Sequence, residues 1–141
     1  MSAIPSMSGR ALIAAGGTGG HVYPALAVAG LLTEQGWSVD WVGTERGIEQ
    51  RLVPAAGLPL HHLSVSGLRG KNWVARVQGA VRLIAALWQS LSLMWRVKPD
   101  VVLGMGGYAA GPAGLAAWLT RRPLVIHEQN SVAGTTNRWL A

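Results

Sequence analysis

No cysteine occurs among the 141 residues, so a disulfide framework, a thiolate metal site, an iron–sulfur cluster and a catalytic thiol are all excluded. Charge is scarce as well. Asp, Glu, Lys and Arg make up 13% of the chain against a usual ~25%, while 50% is hydrophobic. Intrinsically disordered chains have the opposite balance, so this one is expected to fold. Its 14.8 kDa suits one domain, large enough to bury roughly 68–70% of its unfolded surface without staples. A repeat period is lacking, so the 19 glycines, about twice the usual share, point to loops. Long unbroken apolar runs are also lacking. Ala11–Ala15 is too short for the core of a signal peptide. Residues 101–120 carry no charge, formally a spanning length, but Gly104, Gly106, Gly107, Gly111, Pro112 and Gly114 interrupt them. They read better as a strand, a glycine loop and a helix. Leu83–Trp95 is uncharged but too short to span. A cytoplasmic protein that touches a membrane without crossing it is expected.

Acidic residues are missing from one stretch in particular. Between Arg69 and Lys98 stand Arg69, Lys71, Arg76, Arg82, Arg96 and Lys98, with no Asp or Glu. The remainder sums to zero, so the whole net charge of +6 lies in that segment, and the sequence pI is near 11.2. A localised basic patch implies an anionic partner.

What is present alternates between strand and helix signals. Apolar runs ending in glycine or turn residues predict strands at Arg10–Ala15, Val39–Val42, Leu60–Val65, Val101–Leu103 and Leu124–His127. Apolar residues at helical spacing predict helices at Pro24–Gln35, Ile48–Ala56, Trp73–Trp95 and Gly111–Leu119. In the longest, Val77, Val81, Ile84, Trp88, Leu91 and Trp95 fall in register. A further helix begins at Thr136–Leu140, and the sequence stops about one turn into it, as the front part of a longer chain would. Alternation with apolar strands implies a parallel sheet covered on both faces. Right-handed crossovers then favour a doubly wound, Rossmann-like α/β sheet of order 3-2-1-4-5. Residues 1–9 read as a flexible lead-in and 10–141 as one domain.

Three segments that follow strands carry the chemistry: Gly16-Gly17-Thr18-Gly19-Gly20-His21, Gly104-Met105-Gly106-Gly107-Tyr108 and His127-Glu128-Gln129-Asn130. In a parallel sheet all three lie along one edge, and the first and fourth strands flank the point where the helices change faces. Two glycine loops facing each other across that crevice would present bare backbone N–H groups beside helix N-termini, a setting for phosphate or pyrophosphate. The first loop is not a dinucleotide fingerprint, since Val22 stands at the third glycine position, nor a Walker loop, which ends Gly-Lys-Ser/Thr. Without a ligand, the same glycines only make tight turns. His21 could take a proton from a hydroxyl or simply fix the turn. Glu128, the one acid after Asp100, could orient His21, bind a sugar hydroxyl, act as base, or cap the next helix. Tyr108 could touch a substrate or cover its loop, and Asn130 could bind a ligand or cap a helix. His61 and His62 are adjacent on a strand and point to opposite faces, so they are a poor metal site.

The basic segment has two readings. One is a core-facing helix with a solvated basic edge. The other is a membrane-surface patch in which Trp73, Trp88 and Trp95 are ringed by Arg69, Lys71, Arg76 and Arg82. If three or four cations face an anionic surface, at about 1 kcal/mol each, they supply roughly 3–4 kcal/mol, enough for reversible docking. Nucleic acid is not expected, because no stacking platform motif is present. Two other functions fit the fold. A nicotinamide-dependent oxidoreductase would need a ribose-binding acid after the second strand, with Glu45 the candidate. A non-catalytic membrane-docking module would need only the basic patch.

Four motifs in order (Gly16–His21, Ser66-Gly67-Leu68-Arg69-Gly70-Lys71, residues 101–108 and His127-Glu128-Gln129-Asn130) make residues 10–141 resemble the MurG family of bacterial glycosyltransferases. The resemblance implies the N-terminal half of a two-domain B-type (GT-B) glycosyltransferase, lacking the C-terminal donor-binding domain and inactive alone. It implies inverting transfer of N-acetylglucosamine from UDP-N-acetylglucosamine to the 4-hydroxyl of the muramyl unit of undecaprenyl-pyrophosphoryl-MurNAc-pentapeptide, lipid I. It also implies that Thr18, Gly19, Gly20 and Asn130 lie against the donor. Gly16, Gly17, Gly104, Gly106, Gly107 and Tyr108 would hold the acceptor pyrophosphate. His21 would be the base with Glu128 in reserve, and no metal or cofactor would be needed. The basic patch would dock the protein peripherally on the cytoplasmic face of the cell membrane.

Overall fold

The structure, a computed structural model, describes residues 8–65, 72–128 and 140–141. Five parallel strands form one sheet in the order β3-β2-β1-β4-β5. They are β1 (Arg10–Ala15), β2 (Ser38–Thr44), β3 (Leu60–Leu63), β4 (Val101–Gly106) and β5 (Leu124–Ile126), joined by α1 (Gly19–Glu34), α2 (Glu49–Ala55), α3 (Trp73–Val97) and α4 (Ala110–Leu119). The doubly wound order expected from the sequence is the order observed. The helix expected at Thr136–Leu140 lies almost wholly outside the described residues.

The continuous apolar run of β1 is sorted by the alternation of a strand. Leu12 and Ala14 face one core, with Ala86, Leu93, Met94 and Val97 of α3 and the alanines of α4. Ala11, Ile13 and Ala15 face the other, with Val22, Ala25 and Ala29 of α1 and Val53 of α2. Both sides of β1 are therefore covered, and residues 11–15 are fully buried. Fully burying a side chain such as Leu12 or Ile13 contributes about 1.5–3 kcal/mol. α4 buries mostly small residues, Ala110, Ala113, Gly114, Ala116 and Ala117, which lets it lie close to both the sheet and α3. Asn72 opens α3 by accepting the Ala75 N–H at 2.9 Å. Lys98, in the left-handed region at φ 51°, closes it ahead of Pro99.

Some boundaries differ from expectation, and two of the differences matter for the site. α1 starts at Gly19, not at Pro24, so Gly19, Gly20 and His21 form its first turn. The Val22 N–H already reaches the Thr18 carbonyl at 3.1 Å. Helix propensity argued against two glycines there, but tertiary packing overrides it, because the Tyr23 ring lies on Gly19 and the His21 ring on Gly106. β4 runs on through Gly106, so Gly104 and Gly106 belong to the sheet, not to a loop.

Candidate functional site

The site is built where β1 and β4 end side by side. The last peptide of β1 is held by the indole of Trp41, whose Nε1–H donates to the Ala15 carbonyl at 2.8 Å in the buried interior. The Gly16 N–H donates to the Gly106 carbonyl at 3.3 Å. Gly17 then turns the chain with φ +94°, a conformation that favours glycine, and its N–H donates to Oε2 of Glu49 at 3.0 Å. Thr18 is the extended N-cap residue of α1, and its side chain makes no cap hydrogen bond.

The expected open crevice between two glycine loops is corrected by this geometry. The amides of Gly16 and Gly17 are engaged within the protein. Gly107 packs its backbone directly on the Gly16 carbonyl, leaving no room for a Cβ. The two turns touch. Gly106 (φ +109°) and Gly107 (φ +87°) both need conformations that other residues rarely adopt. The His21 ring occupies the space a Cβ on Gly106 would fill. Gly104 is buried in the sheet, and its carbonyl accepts the His127 N–H at 2.9 Å.

Gly16 and His21 are thus brought against Gly106 and Gly107, with Gly17, Thr18, Gly19 and Gly20 in the turn between them. Tyr108 follows directly and is 55% exposed. Glu128 is half-buried beyond β5, one strand further out from β1 than β4. Asn130 lies outside the described residues, as do Arg69 and Lys71. His21 is half-buried.

One residue of this region went unnoticed in the sequence. Glu49 is fully buried beneath the first turn. Besides Gly17, it accepts the Thr44 N–H at 2.8 Å and the Thr44 hydroxyl at 2.9 Å, both at Oε1. The acid considered at that end of β2, Glu45, is exposed. The carboxylate beneath the turn is thus enclosed and already bonded.

The burial of the long helix bears on its two readings. Its buried residues are Ala86, Ser90, Leu93, Met94 and Val97. Val77, Val81, Ile84, Trp88 and Trp95, which fall in register in the sequence, are exposed together with Trp73, so of the two readings the core-facing one does not hold for this arc. On a 3.6-residue turn these six fall within an arc of roughly 80°, nearly opposite the buried one. Trp73 is 75% and Trp88 70% exposed, and Arg76, Arg82 and Arg96 on the same helix are exposed too. An open groove of about 350 Å³ adjoins this face between β3 and α3, lined by His61, His62, Trp88, Gln89, Ser92 and Arg96. It is remote from the glycine turns in sequence and element. His61 pairs with Asp40 at 2.7 Å and His62 with Gln50 at 2.9 Å. The two rings thus have separate partners, as opposite-facing residues should. Among the described residues no group of three His, Asp or Glu could hold a metal ion, and no helix is long and apolar enough to cross a membrane.

Solved structures of similar shape define the class. The crystal structure of Acinetobacter baumannii MurG superposes with a TM-score of 0.83 and 42% identity, over 94% of this chain and 38% of that one. The Streptomyces sp. SF2575 glycosyltransferase SsfS6, complexed with thymidine diphosphate, gives 0.67 at 21% identity, over 94% and 42%, a likeness of fold alone. The domain is the N-terminal half of a B-type glycosyltransferase fold. Sequence then narrows the class: the profile of the glycosyltransferase family 28 N-terminal domain matches residues 11–141, and the chain belongs to that family. Among curated relatives, the UDP-N-acetylglucosamine–N-acetylmuramyl-(pentapeptide) pyrophosphoryl-undecaprenol N-acetylglucosamine transferase of Alkalilimnicola ehrlichii is 61% identical over 130 residues, 92% of this chain and 36% of the relative. Its Pseudomonas aeruginosa counterpart is 57% identical over 135 residues, 96% and 38%. The resemblance to MurG read from four motifs is borne out, and the chain spans little more than a third of the length of these relatives.

Proposed function

We propose that the chain forms the acceptor-side half of a peptidoglycan glycosyltransferase. The reaction moves N-acetylglucosamine from UDP-N-acetylglucosamine to the 4-hydroxyl of the muramyl unit of lipid I. The observation that carries this reading is the 61% identity over 130 residues to a transferase named for that reaction. In a single inverting displacement the acceptor oxygen attacks the anomeric carbon, UDP leaves with the electron pair of the broken bond, and a base takes the hydroxyl proton. His21 is the base in this reading. It stands in the first turn of α1, half-buried, against the end of β4, and Glu128 is the reserve. Thr18, Gly19 and Gly20 face the donor in this reading, where the α1 N-terminus favours the charge growing on the leaving phosphate, and Asn130, outside the described residues, is assigned to the donor as well. Gly107 and Tyr108 face the acceptor pyrophosphate. Gly16, Gly17, Gly104 and Gly106 shape the wall rather than donate, since Gly16 and Gly17 have their amides engaged.

Docking on the cytoplasmic face of the cell membrane completes the proposal. The exposed tryptophans and arginines of α3 supply apolar contact and cationic attraction to an anionic leaflet, where a lipid-linked acceptor resides.

The test is transfer of labelled N-acetylglucosamine to a lipid I analogue, run with and without a complementing C-terminal domain. Transfer only with the complement supports the half-enzyme reading. No transfer in either case, with both domains folded and associated, overturns it. In the active assembly His21→Ala is expected to lower turnover by about 10²–10⁴-fold; near-normal turnover would remove His21 as base.

A further inference from the structure

Glu49 is an ionisable group with no exposed surface, and burying a carboxylate is costly unless hydrogen bonds compensate. Its bonds come from two places and divide cleanly between its oxygens. Oε1 takes both donors of Thr44, at the end of β2. Oε2 takes the Gly17 N–H, in the turn that leads from β1 into α1. The space around it is reserved as well. Gly16, Gly43 and Gly47, from three segments, each face the Glu49 side chain so closely that a Cβ would displace it. An apolar side chain of similar volume would fill such a cavity, but it would leave the Gly17 and Thr44 N–H groups without acceptors. Trp41 holds the Ala15 carbonyl just upstream, so the turn is clamped before and after Gly16. Four residues beyond Gly17, the His21 ring rests on Gly106.

We propose that Glu49 is the positioning residue of the site: by holding the Gly17 N–H it sets how the chain passes into α1, and so where the His21 ring sits against Gly106. The geometric statement stands on the contacts above, whereas its catalytic meaning rests on the role proposed for His21.

The two oxygens make the inference testable by nuclear magnetic resonance of the full chain. Glu49→Gln keeps the volume and can keep a carbonyl oxygen toward Thr44, but it turns an amide NH₂ toward the Gly17 N–H. Thr44→Val removes a donor from the same carboxylate and leaves the Gly17 bond in place. In E49Q, Gly17 amide exchange is expected to quicken about tenfold. The cross-relaxation between the His21 ring and the Gly106 α protons is expected to fall by about half or more. In T44V both should stay within about twofold of the unsubstituted chain. If E49Q does not fold, Glu49→Asp, with the charge kept but one methylene fewer, is expected to give the E49Q result. Unchanged protection and cross-relaxation in the folded Glu49 variant would overturn the proposal, as would equal loosening by T44V. Failure of both Glu49 variants to fold would also overturn it, because the carboxylate would then serve the fold rather than the turn. In an assembly that transfers sugar, E49Q should lower kcat about tenfold with the donor KM within about twofold, and T44V should not. An unsubstituted assembly that transfers nothing would remove the functional reading and leave the resonance result to decide on Glu49.

Discussion

Gly106 and His21 compete for one small volume, and the competition can be measured. Gly106→Ala would place a methyl group in the imidazole and force φ +109° on a residue that rarely adopts it. A loss of about 1–3 kcal/mol in urea denaturation is expected, with displacement of the ring from β4. Trp41→Phe removes the indole N–H and strands the buried Ala15 carbonyl, so a loss of about 1–3 kcal/mol is expected in the same measurement. At this scale the glycines and His21 were legible, because glycine clusters after apolar runs announce turns at a sheet edge. Glu49 was not. A lone glutamate in a sequence reads as surface, and its burial depends on Gly16, Gly43 and Gly47, whose convergence no local pattern displays.

Among the elements, α3 has two apolar faces, and substitutions should separate them. Trp73→Ala and Trp88→Ala remove exposed rings, so stability should stay within about 0.5 kcal/mol. Binding to anionic vesicles, followed by sedimentation, should fall about tenfold for each. Leu93→Ala should do the reverse, costing about 2–5 kcal/mol of stability without weakening vesicle binding by the folded protein. Sequence periodicity found the exposed arc but left open whether the core or a surface partner covers it, because spacing reports that a face is apolar and not what covers it. The buried arc of Ala86, Ser90, Leu93, Met94 and Val97 was overlooked because three of its five members are small or β-branched. The early start of α1 was hidden for a related reason, since Gly19 and Gly20 are poor helix formers that only their neighbours make helical.

For the molecule as a whole, the charge of +6 means that the docking proposed for anionic vesicles should depend on salt. Raising ionic strength from about 0.01 M to 1 M shortens the Debye length from about 30 Å to 3 Å. Most of the roughly 3–4 kcal/mol of cationic attraction should disappear with it; affinity that ignored salt would exclude this contribution. The strand order was fully legible, because alternating elements and right-handed crossovers leave few topologies. The direct contact of the two glycine turns was not, since backbone packed on backbone has no side-chain signature. The central place of β1 also governs how the chain comes together. Ala11 pairs with Val39 on one side and with Val101 on the other, partners 28 and 90 residues away. Closing the longer span costs only about 1 kcal/mol more in chain entropy, so the finished sheet is scarcely penalised. The sequence of events is another matter. During synthesis, β1, β2 and β3 are all available long before β4 emerges, and until then β1 carries an unpaired parallel edge that is apolar from Ala11 to Ala15, the kind of edge other chains add to.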